Sequence, residues 1–281
     1  MNTNRRKRII IKQTRTRINF IFSIGFRCYS PDFLKTYNIR NISGPFDYLF
    51  IDIETAFNNI NNNFKKFMED IIVVNKNKNS IKKYYSNQKV DQKIIDFLKY
   101  ENIGYMRHNY NDTNIIINQN FIKNNHPDLY HWESICVYMH HDITIQKTYE
   151  KIKERVDIFK NIYNERNNNM CLFYITKIIE TTDLKQYKKH IENLKKKYNI
   201  CIYLIIIICS DKLPCSYSFE NKTLYIIKKV NNYQFQYNNG IGTDNNLNYD
   251  NEFKIIDKIF DIKLCEYDEI KSIFTPPLRI S

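Results

Sequence analysis

The sequence predicts an α/β fold, a mostly parallel sheet with helices on both faces in a single main domain. Three observations point there. From about residue 134 onward, β-branched and aromatic runs alternate with amphipathic stretches of ten residues or more, the order that builds βαβ units. Residues 200–209 form an unbroken apolar run, as expected of a strand covered on both sides. The 281 residues, 43% apolar and 15% aromatic, supply a substantial core. That composition excludes a wholly disordered chain, a disulfide miniprotein and a coiled coil.

The elements follow in order. Residues 18–24 are β-branched and aromatic and stop at Gly25, so they read as a strand. Ser30-Pro31-Asp32 has the form of a helix start, with Ser as cap and Pro in the first turn, and the helix runs over 31–37. A loop over 41–45 leads into an aromatic segment, 46–50. Phe57, Ile60, Phe64 and Phe67 recur at helical spacing and predict a helix over 53–68. Residues 71–74 follow as a short strand. Asn, Lys and Ser dominate 75–100, which reads as surface loop with a helix near 90–99. Short strands are expected at 103–107 and 115–117. Alternation over 134–142 predicts a strand and the amphipathic stretch 144–163 a long helix. The remainder is regular: strand 170–176, helix 182–198, strands 200–209 and 223–230, and helix 250–260. No internal repeat is present, and 237–251 is an Asn-rich low-complexity loop.

Composition also bounds function. Asn, Ile, Lys and Tyr are abundant while Ala occurs once, at Ala56, and Gly five times, a bias expected of AT-rich coding. The formal charge is +13, and seven basic residues with no acidic one fall in 1–17. This segment is expected to be a flexible basic leader preceding an α/β domain over 18–281. It also offers a weak contact to nucleic acid or an acidic partner, centred on residues 5–17. The apolar start at residues 9–11 is broken at once by Lys12, Arg15 and Arg17, so no secretion signal is read, and the longest apolar run is half a membrane span. Seven cysteines, an odd number set mostly in apolar runs, suit reduced thiols and a cytoplasmic location.

Chemistry could sit at three places. Cys28 follows Ser23-Ile24-Gly25-Phe26-Arg27 on the turn from the first strand to the first helix, and ligands of open α/β sheets gather at such strand ends. A helix N-terminus and the Arg27 charge would favour the thiolate and make a nucleophile, although the same residue also suits a small buried hydrophobe. His140-His141-Asp142, at a strand end, could supply a general base, His141 being preferred over His140 because alternation lets only one face a given site. Asp47, between Phe46 and Tyr48, would need a partner if buried, which Arg40 or a His could provide, and it would then orient a base or pin a loop. His126, Asp128 and His131 precede the His pair, but no CxxC, HExxH, GxGxxG or GxxxxGK[ST] occurs, so no metal and no cofactor are expected.

At these residues the chain resembles a family of bacterial and giant-virus proteins labelled putative papain-like cysteine peptidases. The likeness runs through Ser23, Gly25 and Cys28, then Arg40, Ser43, Pro45, Phe46, Asp47 and Tyr48, then His140 to Asp142, Lys153, Arg155, Phe159 and the strand over 171–175. It covers about 18–210, leaving 211–281 as a C-terminal extension. Tyr48 stands where the family more often has Trp, and Lys153 replaces an Arg. The resemblance implies a hydrolase with Cys28 as nucleophile, His141 or His140 as base, Asp47 or Asp142 as orienting acid, and a peptide or other acyl substrate. Gly25, Arg27, Arg40, Ser43 and Tyr48 would shape the site. With AT-rich coding it also allows a viral source, and then host cytoplasm or virion as location. Two other functions fit the same residues: a glycan-modifying transferase holding a sugar-phosphate donor at Arg40, Asp47 and the His pair, and a non-catalytic binding protein acting through the basic leader.

Overall fold

The computed structural model describes residues 15–24, 29–75, 80–84, 89, 114–118, 120, 136–138, 141–166, 169–177, 184–210, 212–230 and 248–265. The helix expected at 90–99 and the strand at 103–107 lie outside these, as does most of the Asn-rich loop. Helices and sheets are mixed, as an α/β chain requires. The strands are β1 (Thr16–Ile18), β2 (Phe20–Ser23), β3 (Leu49–Phe50), β4 (Ile71–Asn75), β5 (Ser80–Tyr84), β6 (Asn114–Asn118), β7 (Cys136–Tyr138), β8 (Met170–Lys177), β9 (Tyr203–Ser210), β10 (Ser216–Glu220), β11 (Thr223–Lys229) and β12 (Phe260–Ile262). The helices are α1 (Tyr29–Thr36), α2 (Ile53–Asn61), α3 (Gln146–Arg166), α4 (Leu184–Lys197) and α5 (Asp250–Ile259).

One five-stranded sheet has the order β10-β11-β9-β8-β2 and is parallel except at the β10–β11 hairpin. Alternation along its strands divides their side chains between two apolar clusters. Phe20, Phe22, Leu172, Leu204 and Ile206 join Ala56 and Phe57 of α2, Phe159 of α3 and Leu194 of α4. Ile21, Phe173, Ile205, Ile207 and Ile226 join Phe33 and Leu34 of α1 and Ile256 of α5.

A second five-stranded sheet, β3-β7-β6-β4-β5, is antiparallel throughout, which the alternating strand–helix pattern does not foretell. β5 falls within the segment expected to be loop, because its polar composition hides a strand paired with β4. Leu49, Ile71, Val73, Ile116 and Tyr138 of this sheet belong to the same cluster as Phe22 and Phe159. Asn118, fully buried, donates to the carbonyls of Lys66 (3.0 Å) and Phe67 (2.7 Å), and the Tyr138 hydroxyl also donates to Phe67 O, fastening the sheet to the turns that follow α2.

Local chemistry moves several boundaries. The expected strand over 18–24 splits at Asn19 into β1, parallel to β12, and β2. Arg15 donates to the carbonyl oxygen of Asp257 at 2.6 Å and forms an ion pair with Asp261 at 3.6 Å. Ser30 lies inside α1 and caps nothing: its Oγ accepts the Ile175 N–H at 3.0 Å and ties α1 to β8. α2 ends at Asn61, short of residue 68, because Asn63 turns left-handed (φ 55°) and the Phe64 N–H bonds back to Asn59 O at 2.8 Å. Phe64 and Phe67 still reach the core, so their helical spacing survives the end of the helix. Among the described residues no helix is long and apolar enough to cross a membrane.

Candidate active site

β2 runs parallel to β8, β9 and β11, so Ser23 stands at the carboxyl end of the strands, where open α/β sheets place their ligands. α1 begins at Tyr29. Gly25, Arg27 and Cys28, the candidate nucleophile and two of its neighbours, lie outside the described residues, as does His140.

Asp47 is the centre of what is described. Its side chain is buried beside Gly44, and its carboxylate collects three donors. Oδ1 accepts from the Ser23 hydroxyl, and Oδ2 accepts from Arg40 Nη2 at 2.5 Å and from the Gly44 N–H at 3.0 Å. Burial pushes the Asp47 carboxyl up, while the Arg40 charge, the Ser23 hydroxyl, the Gly44 N–H and the Arg155 charge pull the other way. Arg40 also donates from Nη2 to Ser43 Oγ at 2.5 Å and from Nε to Ile42 O at 3.4 Å. The loop over 40–48 is thereby folded onto the end of β2. Gly44 is needed for proximity, since a Cβ there would meet Phe22 at 3.0 Å.

Tyr48 continues the cluster. Its φ is 60°, a left-handed conformation that crowds a bulky side chain and that accumulates where function constrains the backbone. Its ring lies beneath the Arg40 guanidinium, 5.9 Å from the centroid, and its hydroxyl donates to Asp32 Oδ1 at 3.3 Å. It meets the His141 ring edge-on, centroids 6.4 Å apart. His141 Nε2 lies 3.2 Å from Arg155 Nη1. Arginine only donates, so this contact makes Nε2 an acceptor and leaves the ring proton on Nδ1. Burial lowers the Arg155 pKa, and the Asp47 charge opposes that shift. Beneath these groups lies an aromatic floor: Phe159 of α3 packs on Phe22 (4.9 Å), Phe64 (5.5 Å) and Phe46 (6.0 Å).

The structure thus brings together Arg40, Ser43, Asp47, Tyr48 and His141 of the residues expected from sequence. Asp142 faces its own turn, its Oδ1 accepting both the N–H and the hydroxyl of Thr144 at 3.0 and 2.5 Å, which starts the path into α3. Arg40, rather than a His, supplies the partner that Asp47 required. Two members were not singled out as site residues, Ser23 and Arg155. Arg155 had a legible signal: it sits among Ile152, Val156 and Phe159 on the apolar face of α3, where a charge must find a partner. Among the described residues no three His, Cys, Asp or Glu side chains are grouped to hold a metal; His126 and His131 lie outside them.

Comparison with known proteins gives one result. The sequence model of the family described as putative papain-like cysteine peptidase (DUF1796) matches residues 19–211. No curated protein and no solved structure matches.

Proposed function

We propose, for a chain that belongs to the putative papain-like cysteine peptidase family, that it is a cysteine-nucleophile hydrolase acting on a peptide or another acyl substrate. Cys28 is the nucleophile. Its thiolate attacks the acyl carbon, forming an S–C bond, and the amine departs with the proton that His141 or His140 took from the thiol. Water then cleaves the thioester and releases the acid. Backbone N–H groups near Cys28 would hold the oxyanion, with Gly25 and Arg27 shaping that turn.

The observation that carries this reading is the family match across the segment joining the carboxyl end of β2 to α1, beside the buried Ser23–Asp47–Arg40 cluster. In this account Asp47 orients the site by fixing the 40–48 loop, and Ser43 and Tyr48 shape its wall. If His141 is the base, Nε2 must exchange Arg155 for the thiol, and Arg155 is the gate on its basicity. His140 is the alternative base.

We read 18–281 as one domain with helices on both faces of the parallel sheet, preceded by a basic leader and located in cytoplasm or virion. The two apolar clusters, each joining strands to different helices, support the architecture.

Turnover of peptide and thioester libraries by purified protein tests the function. Cys28→Ser should abolish turnover and leave the thermal midpoint unchanged; near-normal activity in that variant contradicts the mechanism. His140→Ala and His141→Ala, assayed separately, assign the base, whose loss should cost about 10²–10⁴-fold in rate.

A further inference from the structure

At the end of the mixed sheet opposite the candidate active site lies a cavity of about 1030 Å³. Its walls are α4 and the segments that lead into β9 and β11, at the amino ends of the parallel strands. Six lysines, Lys185, Lys188, Lys189, Lys195, Lys196 and Lys222, line it against two glutamates.

Of the two carboxylates, Glu220 is hydrogen-bonded, whereas Glu192 Oε1 is buried with no hydrogen-bond partner and only an ion-pair contact. Lys188 donates to Glu220 Oε1 at 2.7 Å, and Lys195 lies 3.9 Å from Glu192 while also donating to Asn221 O and Thr223 Oγ1. Lys189 and Lys196, both exposed, have no hydrogen-bond or ion-pair partner among the described residues. Seven residues apart on α4, they lie on one face of the helix, separated by about 10 Å along its axis.

The hairpin beside them adds a second observation. β10 and β11 are joined by two residues, Asn221 and Lys222, with φ of 47° and 61°, the form of a type I′ turn. Its second position favours glycine because a side chain is crowded there, yet this chain carries lysine. Lys222 Nζ donates to Cys201 O at 3.0 Å, on the wall of the same cavity. A cation is therefore held in the groove at a backbone position that suits it poorly.

We propose that this groove binds the phosphate backbone of nucleic acid without reading its bases. Charge complementarity selects a polyanion, and lysine ammonium groups meet phosphates as point charges. None of the groove's lining residues is aromatic, so bases have no stacking platform. The basic leader is a separate element, and the proposal does not rest on the hydrolase reading.

The test is fluorescence anisotropy of a labelled single-stranded oligonucleotide on the full chain, titrated between about 50 and 200 mM salt. Arg5, Arg6, Lys7, Arg8 and Lys12 are changed to Gln throughout, to remove most of the leader's charge while keeping Arg15 for its contacts with Asp257 and Asp261. K189Q/K196Q should weaken binding equally for poly-dT and mixed sequence and reduce the salt slope by about 1.4, two phosphate contacts on a single strand. Lys222→Gly should raise the thermal midpoint by relieving the turn while weakening binding, a combination that a structural role alone does not give. Unchanged binding in K189Q/K196Q overturns the proposal. So does equal competition by poly-glutamate at matched charge, which would assign the groove to acidic peptides. Cys28→Ser should bind as wild type, separating this site from the hydrolase site.

Discussion

Asp47 is buried with Arg40 against it, and each holds the other in place. Replacing the carboxylate by its isosteric amide leaves the shape but removes the counter-charge from Arg40, whose side chain is only 14% exposed. Asp47→Asn should therefore cost about 3–5 kcal/mol, read from urea unfolding midpoints. A loss below about 1 kcal/mol would mean that Arg40 finds another partner. Much of this was legible: an Asp between Phe46 and Tyr48, seven residues after an Arg, announces a buried pair. The His141–Arg155 contact was not, because it joins a turn to the third turn of a helix, fourteen residues on, and depends on the helix's rotation about its axis.

The scarcity of glycine leaves another mark at this scale. α1, α2 and α4 each end with a left-handed Asn, at Asn38, Asn63 and Asn199. In all three the next N–H bonds back to the residue five before it, Leu34, Asn59 and Lys195 respectively. Asn tolerates this conformation where β-branched or bulky residues do not. Asn38→Ala should lower stability by about 1 kcal/mol and Asn38→Gly should not lower it at all, a comparison that thermal melts can make directly.

Among the elements, α3 carries most of the floor under the candidate site through one side chain. Phe159 is fully buried and touches rings from β2, the 40–48 loop and the turns after α2. Phe159→Ala should cost about 3–5 kcal/mol in chemical denaturation, and Phe159→Leu less than half of that. α1 and α5 are joined differently. Tyr37 donates to Asp250 Oδ1 at 2.9 Å, accepts the Tyr249 N–H at 3.1 Å and stacks on Phe253. Burial, with the hydrogen bond and charge of Asp250, pushes its phenol up to about 12. A phenol whose pKa is raised on folding contributes stability that is complete below its unfolded value near 10 and is lost as pH climbs through 12. The difference in unfolding midpoint between wild type and Tyr37→Phe should accordingly shrink over that alkaline window; a constant difference would contradict the assignment.

Elements with one uninterrupted signal were readable. β8, β11, α4 and α5 fall within about two residues of their sequence-based limits. The antiparallel sheet was hidden for a physical reason: β5 is Ser-Ile-Lys-Lys-Tyr, half polar on an edge, and nothing in a single strand's composition says which partner will satisfy its backbone.

At the scale of the whole molecule, the chain's ends complete what its middle begins. β1 pairs with β12 across more than 240 residues, and β11, beyond the family-matched segment, lies beside β9 and inside the sheet's order. Half-buried Lys228 on β11 meets buried Glu252 on α5 at 3.1 Å. Truncation after residue 211 should thus expose β9 as an edge and yield an aggregating product, checked by size-exclusion chromatography of the 1–211 fragment. Sequence alone counts this extension within the 18–281 domain but gives no partner for its strand, since long-range pairing is invisible to local pattern.

The central claim is that Cys28 is a nucleophile. The pH dependence of its alkylation, resolved by peptide mass mapping with exposed Cys201 and Cys215 as internal references and buried Cys171 as the silent control, tests it most directly. The account predicts that the Cys28 rate reaches its plateau well below the ordinary thiol pKa of about 8.5 and that Arg155→Ala shifts the profile. A Cys28 that labels only when the protein unfolds, in step with Cys171, would contradict it.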